Sequence, residues 1–541
     1  MQFLFMKYYI MLNNIKKVIW FPILCALCII QNNAAFGQLI IDSIIIERTS
    51  IQKTGYIPEW QSMFSSNLSD THFSTIGGLQ IGDYSSELEW SRAEKALRST
   101  SLFSSIAIET DTIDQRYIQL YIKAQQVPGV NSVGLDAQYG GGILSFGPFS
   151  KTSVILGDFI QSYLRIRHRT ENSIGNELSF WGKWNDILDN FTLETNVLTH
   201  SVVSRIGVSL QKNIYPQGGL GYGISYDYSH GSDFVFTNET AAKKGFSAYS
   251  FDGWTTLLLP RQDNLYLTIK GAYQFADRQD AAYMKRAFDN TSELLISFSS
   301  LADKTKQIEG VDIPLGAWGS AILGRVIPKH QDGYYYVGGS VEQSALMLHD
   351  KLYMYGKLSA GSGLNTGLAI NTALEFEGLA HFMINRGVLL AARIQQSSVW
   401  NWDAFRQQIL DNDNGIRGLK ANSRTGDNRI ISSLELRHLL KESLYGFEFA
   451  FTLFCDAGTV WDKGNSLFLS TWSNSIGAGI IVLPAFSRLR YDSPLLRLEY
   501  AFNTNNNSGN GIVLSTNYSF DLIKRHAYSK PQVFGTKIDL E

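Results

Sequence analysis

The sequence predicts a mainly β protein: an antiparallel transmembrane β-barrel of about 16 strands preceded by one small N-terminal α+β module. Three observations carry this. From about residue 127 to 520 the chain is a succession of alternating stretches, each about 8 to 12 residues long and separated by Gly, Asn, Asp and Ser clusters. The alternation separates apolar from charged side chains, as where Leu496, Leu498, Tyr500 and Phe502 oppose Arg497 and Glu499. A wall with lipid outside and water or a plug inside needs that pattern. Charged residues make up 18% and aromatics 13% of the 541 residues, against about 25% charged in soluble domains. Past the N-terminus no apolar run reaches about 18 residues, so any membrane crossing must be by strands.

Residues 1–37 read as an export signal. Lys16 and Lys17 precede an apolar run from Val18 to Ile30, followed by a polar stretch and a small-residue site at Ala35-Phe36-Gly37. Cys25 and Cys28 lie inside that run and read as hydrophobes, not as a redox or metal pair. The remaining cysteine, Cys455, falls by parity on the lipid side, where a lone thiol is a small apolar residue. The formal net charge is -2, which gives no reason to expect nucleic acid as a partner.

Residues 38–126 form the α+β module. A strand is expected from Leu39 to Glu47 and a helix near Pro58 to Leu68. A second helix, capped by Ser85 or Ser86, is expected to run to about Arg98, with Trp90, Ala93, Ala96 and Leu97 on its buried face. Two strands close the module, Ser104 to Glu109 and Tyr117 to Lys123, the latter expected at the sheet edge. The run Gly78-Leu79-Gln80-Ile81-Gly82-Asp83, the helix that follows with Leu97, and the stretch from Leu102 and Phe103 to Ile108 resemble the polypeptide-transport-associated (POTRA) domain.

Val127-Pro128-Gly129 marks the boundary with the barrel, residues 127–520. Tyr334 to Tyr336 and Trp400-Asn401-Trp402 fit the aromatic girdles of a membrane interface. Two regions, Phe234 to Phe246 and Ala281 to Ile313, are ambiguous and read as long external loops. The last strand is expected from Gly511 to Phe520, and residues 521–541 as a polar periplasmic extension.

The most informative stretch runs from Gly415 to Gly458. Gly415-Ile416-Arg417-Gly418-Leu419 resembles the Val/Ile-Arg-Gly-Tyr/Phe loop of the BamA and TamA superfamily of outer-membrane assembly and secretion barrels. Phe454-Cys455-Asp456-Ala457-Gly458 resembles its Phe-x-Asp-x-Gly strand, and Leu434-Glu435-Leu436-Arg437 its Glu-x-Arg strand. The resemblance implies that the loop folds back into the barrel and that its arginine pairs with the aspartate of the inner wall. Strand parity turns Asp456, Glu435 and Glu448 inward, so Arg417 has Asp456, Glu435 or a place between them as its seat. Position 419 is Leu where the family has an aromatic, so the stacking made there is missing.

The resemblance further implies a bacterial outer-membrane protein with its POTRA domain in the periplasm. Its partners would be the lipid bilayer, outer-membrane or secreted client polypeptides, and periplasmic accessory proteins. It would receive client through the POTRA domain and insert or export it through the barrel. The other reading is a passive or substrate-specific channel with a periplasmic docking module. Hydrolase and zinc-protease motifs are absent, the nine histidines show no ligand spacing, and no enzyme, cofactor or metal is expected.

Overall fold

In the computed structural model the described residues run from 39 to 534, apart from 51–69, 100–102, 127–131, 516–525 and several connections between strands. The export signal and the helix expected near Pro58 to Leu68 lie outside them. The N-terminal module holds strands Leu39–Ser50, Tyr84–Ser85, Phe103–Thr112 and Tyr117–Gln126 and helices Asp70–Gly77 and Glu87–Ser99. Ser86 caps the second helix: its backbone N–H donates to the Glu89 carboxylate at 2.8 Å, while its carbonyl accepts from Glu89 N. Phe73, Leu97, Phe103, Ile106 and Ile122 pack between helices and sheet.

In that sheet Leu39–Ser50 lies parallel to Tyr117–Gln126, which pairs antiparallel with Phe103–Thr112 on its other side. Tyr117 to Lys123 is therefore central and not the edge the sequence suggests. A parallel pair needs a crossover connection, and both helices lie between these two strands in the chain, so the last strand inserts beside the first. The edges are Phe103–Thr112 and the part of Leu39–Ser50 beyond Ile40, where its pairing with Tyr84–Ser85 ends.

All the remaining strands except a two-stranded ribbon close into a single antiparallel barrel. It has 20 strands, which corrects the expected 16 or so. The estimate assumed about 24 residues per strand with its connection, whereas many hairpins here turn within a few residues. Leu220–Thr237 pairs with Thr240–Leu258 up to Thr237↔Thr240, and Thr291–Ile308 pairs with Val311–Pro328 up to Ile308↔Val311. These hairpins occupy much of the two regions read as external loops. Their polar ends, including Lys243, Lys244, Lys304 and Lys306, hide the alternation that marks a half-apolar strand.

Parity is realised as two surfaces. Outward residues such as Leu164, Ile166, Phe298, Leu434, Phe451, Leu498 and Phe502 are exposed, and so is Cys455. Their neighbours along the strands, including Ser297, Glu435, Thr452 and Glu499, are buried toward the interior. An outer band of that composition is what a bilayer covers. The barrel closes between Gly511–Ser515 and Ser132–Gly140, where the described pairing is Leu514↔Tyr139 and Ser515↔Gln138.

Candidate functional site

The connection between strands Val388–Trp400 and Asn428–Leu444 turns back into the barrel. It carries a two-stranded ribbon, Gln408–Leu410 with Arg424–Gly426, which encloses residues 411–423. Leu410, Ile416 and Leu419 pack on Ile431 of the wall, forming a small apolar base. Gly415 and Gly418 have φ of +111° and +74°, in the region that favours glycine. A Cβ on Gly418 would also stand 2.7 Å from that of Ala501, so the loop approaches the wall closely. Gly458 allows a similar approach, since a Cβ there would meet Ile416 and Leu410 at 3.1 Å.

This base aims Arg417 at three acids. Its Nε and Nη2 donate to the two oxygens of Asp456, each at 2.8 Å, and its backbone N–H adds a third contact to Asp456 at 3.2 Å. Its Nη1 donates to Glu435 at 2.8 Å and to Glu499 at 3.2 Å. Arg497 donates to Glu435 at 2.8 Å and to Glu499 at 2.6 Å, and Arg437 donates to Glu435 from the other side. The Phe454 ring lies under the guanidinium, with Cζ 3.5 Å from its centre. Each of the six charged residues is at most 2% exposed. Three arginines meet three carboxylates, so the cluster is formally neutral, the condition under which buried charge is tolerated.

All eight positions singled out in the sequence meet here: Gly415, Arg417, Gly418, Glu435, Arg437, Phe454, Asp456 and Gly458. The choice left open for Arg417 resolves into a bidentate fork on Asp456 with its remaining nitrogen shared by Glu435 and Glu499. Stacking comes from Phe454 on the wall, in place of an aromatic at position 419. Glu448, also read as inward, has no part in these contacts. Glu499 and Arg497 were absent from the sequence-based site, although the alternation from Leu496 to Phe502 already turned them inward.

The loop continues past the latch toward the first hairpin of the barrel. Asn412 accepts from Gly418 N at 2.9 Å, Asp413 accepts from Gln138 at 3.0 Å, and Ala421 N donates to Gly141 O at 3.0 Å. Beside that contact a second ion cluster lines the wall, where Arg165 and Arg167 hold Glu177 and Arg165 also reaches Asp136. Anchored on Asn428–Leu444 and Phe447–Trp461, and touching Leu496–Asn503 and Ser132–Gly140, the loop passes inside the strands that close the barrel.

No family profile matches the sequence, and no curated protein is detectably similar to it. Among solved structures, the chain is similar to BamA from Haemophilus ducreyi lacking POTRA domains 1–3, with TM-score 0.40, 12% identity, and 88% of this chain and 83% of that one covered. It is similar to CdiB from Acinetobacter baumannii with TM-score 0.45, 10% identity, and coverage of 88% and 73%. For CdiB from Escherichia coli the values are 0.42, 8%, 88% and 76%. Likenesses at this level carry no functional conclusion, which rests instead on the geometry of the latch.

Proposed function

We propose that the protein is a non-enzymatic assembly or translocation factor of the bacterial outer membrane. Its N-terminal module, read as a POTRA domain in the periplasm, receives an extended client polypeptide, and the barrel inserts or exports it. The observation that carries this reading is the loop latch: a buried Arg417 fork that fixes an inserted loop across the inside of the closing strands. A simple wall has no need of six buried charges to seat a loop. A device that must hold its lumen and seam in one arrangement, and be able to change it, does. The outer part of Leu39–Ser50, an edge of the module sheet, is where a client strand would add by backbone pairing.

A passive channel is the less favoured reading, because the inserted loop occupies lumen that such a channel would leave open. Depleting the protein tests the role: loss of particular outer-membrane or surface proteins, with their accumulation in the periplasm, is expected. An unchanged outer-membrane proteome would sink the proposal. For the latch, Arg417→Glu is expected to abolish activity and Asp456→Arg in the same chain to restore part of it. A double-mutant cycle without coupling would show that the pair does not act as a unit.

A further inference from the structure

Part of the tail expected to be a periplasmic extension lies against the inner wall of the barrel. Its described residues there, His526 and 528–534, belong to no helix or strand. Side chains at alternate positions enter separate recesses of the inner wall. His526 is buried, with Nε2 2.7 Å from the Ser344 hydroxyl and Nδ1 3.7 Å from Glu342. The Tyr528 hydroxyl bonds those of Thr256 at 2.7 Å and Thr268 at 2.8 Å, while its ring stands edge-on to Trp318. Lys530 Nζ lies 3.2 Å from Asp252 Oδ2 and 4.1 Å from the centre of the Trp254 ring. Burial draws this ammonium below its ordinary pKa, with Asp252 pulling the other way. At the far end Val533 and Phe534 join an apolar cluster with Tyr334 and Tyr336, and Phe534 N donates to the Tyr336 hydroxyl at 2.9 Å.

Two features distinguish this from slack chain resting on a wall. The interior of a water-filled barrel is polar, yet here Trp254, Tyr266, Trp318 and Tyr336 face inward and are each at most 9% exposed. The rings of Tyr266 and Trp318 lie 5.5 and 6.0 Å from that of Tyr528, so the tail covers aromatic surface that would otherwise meet water. The path also fits the wall. Ser344 and Tyr336, touched near the tail's two ends, are eight residues apart on one strand, roughly 26 Å. His526 and Phe534 are separated by the same number of residues, and between them Tyr528 and Lys530 reach strands Thr240–Leu258 and Leu265–Arg278, so the tail engages the wall over several strands. Held by side chains outside any strand ladder, it is a ligand of the barrel and not part of its wall.

We propose that this strip of inner wall is a binding groove for an extended peptide with rings at two alternate positions, a cation at the next and an apolar ring four residues beyond, that the chain's own tail is its resting occupant, and that a client segment of this pattern replaces it. The last clause rests on the assembly or translocation reading; the groove and its occupant stand on the contacts alone. A tethered segment competes at an effective concentration of roughly millimolar, so an added peptide must find the groove largely closed in the intact protein.

The test uses the full chain in lipid vesicles and a fluorescent synthetic peptide of residues 521–541. Lys530→Glu and Tyr528→Ala alter only the tail, leaving the strand ladder alone. Each is expected to raise peptide affinity at least about tenfold over the intact protein and to increase planar-bilayer conductance. Adding Asp252→Asn on the wall to either variant is expected to remove most of the gain in peptide affinity. Equal peptide affinity and equal conductance in the intact and tail-altered proteins would overturn the groove and its occupant. Peptide binding that persists in a protein whose depletion leaves the outer membrane unchanged would keep the groove and sink only the client step.

Discussion

Arg417 shows how residue chemistry selects a structure. Only a planar fork with five donors can hold Asp456 with two nitrogens and still offer a third to Glu435 and Glu499. Arg417→Ala is expected to loosen the loop by about 3–5 kcal/mol, because three carboxylates are left with two arginines in a buried site. Arg417→Lys should recover part of that loss, since it restores the charge but not the fork. Protease nicking within residues 411–427 under increasing urea would measure both, and equal resistance in all three proteins would show that the ion cluster does not hold the loop. Gly418→Ala should cost about 1–3 kcal/mol by the same assay, since its φ is +74° and its new methyl would meet Ala501. The site residues were legible because each motif is short and local. Arg497 and Glu499 were overlooked although their alternation was plain, because nothing along the chain says that Arg497 reaches Glu435, and Glu499 the fork of Arg417, across two intervening strands.

At the scale of elements, legibility followed how much of the signal was local. The helix Glu87–Ser99 could be read from its buried face and a serine cap at Ser85 or Ser86, and the structure selects Ser86 through its contact with Glu89. Glu89→Ala, which removes the carboxylate that accepts from Ser86 N, is expected to cost that helix about 1 kcal/mol, seen as faster amide exchange over residues 87–92 with the barrel unaffected; unchanged exchange would mean that packing of Ala93 and Leu97 alone holds the helix. Strands with one apolar face were equally readable. The hairpins over 220–258 and 291–328 were not, because runs such as Lys243-Lys244 and Asp303 to Gln307 near their turns interrupt the period of two. The order of strands in the module sheet was likewise hidden, as it depends on a crossover and not on the composition of the strand that ends up central.

For the whole molecule, the outer surface makes a prediction about the environment. Leu434 is 49% exposed on a strand whose next residue, Glu435, is fully buried. Leu434→Lys should therefore destabilise the barrel by about 2–4 kcal/mol in a bilayer and by much less in detergent that lets the ammonium reach water. Urea titration of refolding in vesicles and in micelles would compare the two, and equal losses in both would argue that this face does not meet lipid. Sequence by itself determined the two-faced wall, the second helix of the small module and the loop and wall positions Arg417, Glu435 and Asp456, because alternation, capping and short motifs lie within a few neighbouring positions. Tertiary structure alone decided the 20-strand closure, the sharing of Arg417 among three acids and the lodging of the tail inside the barrel. These depend on contacts between residues as far apart as Ser225 and Lys530, and on which inward face a distant segment meets once the barrel has closed. No local window of the chain contains that information.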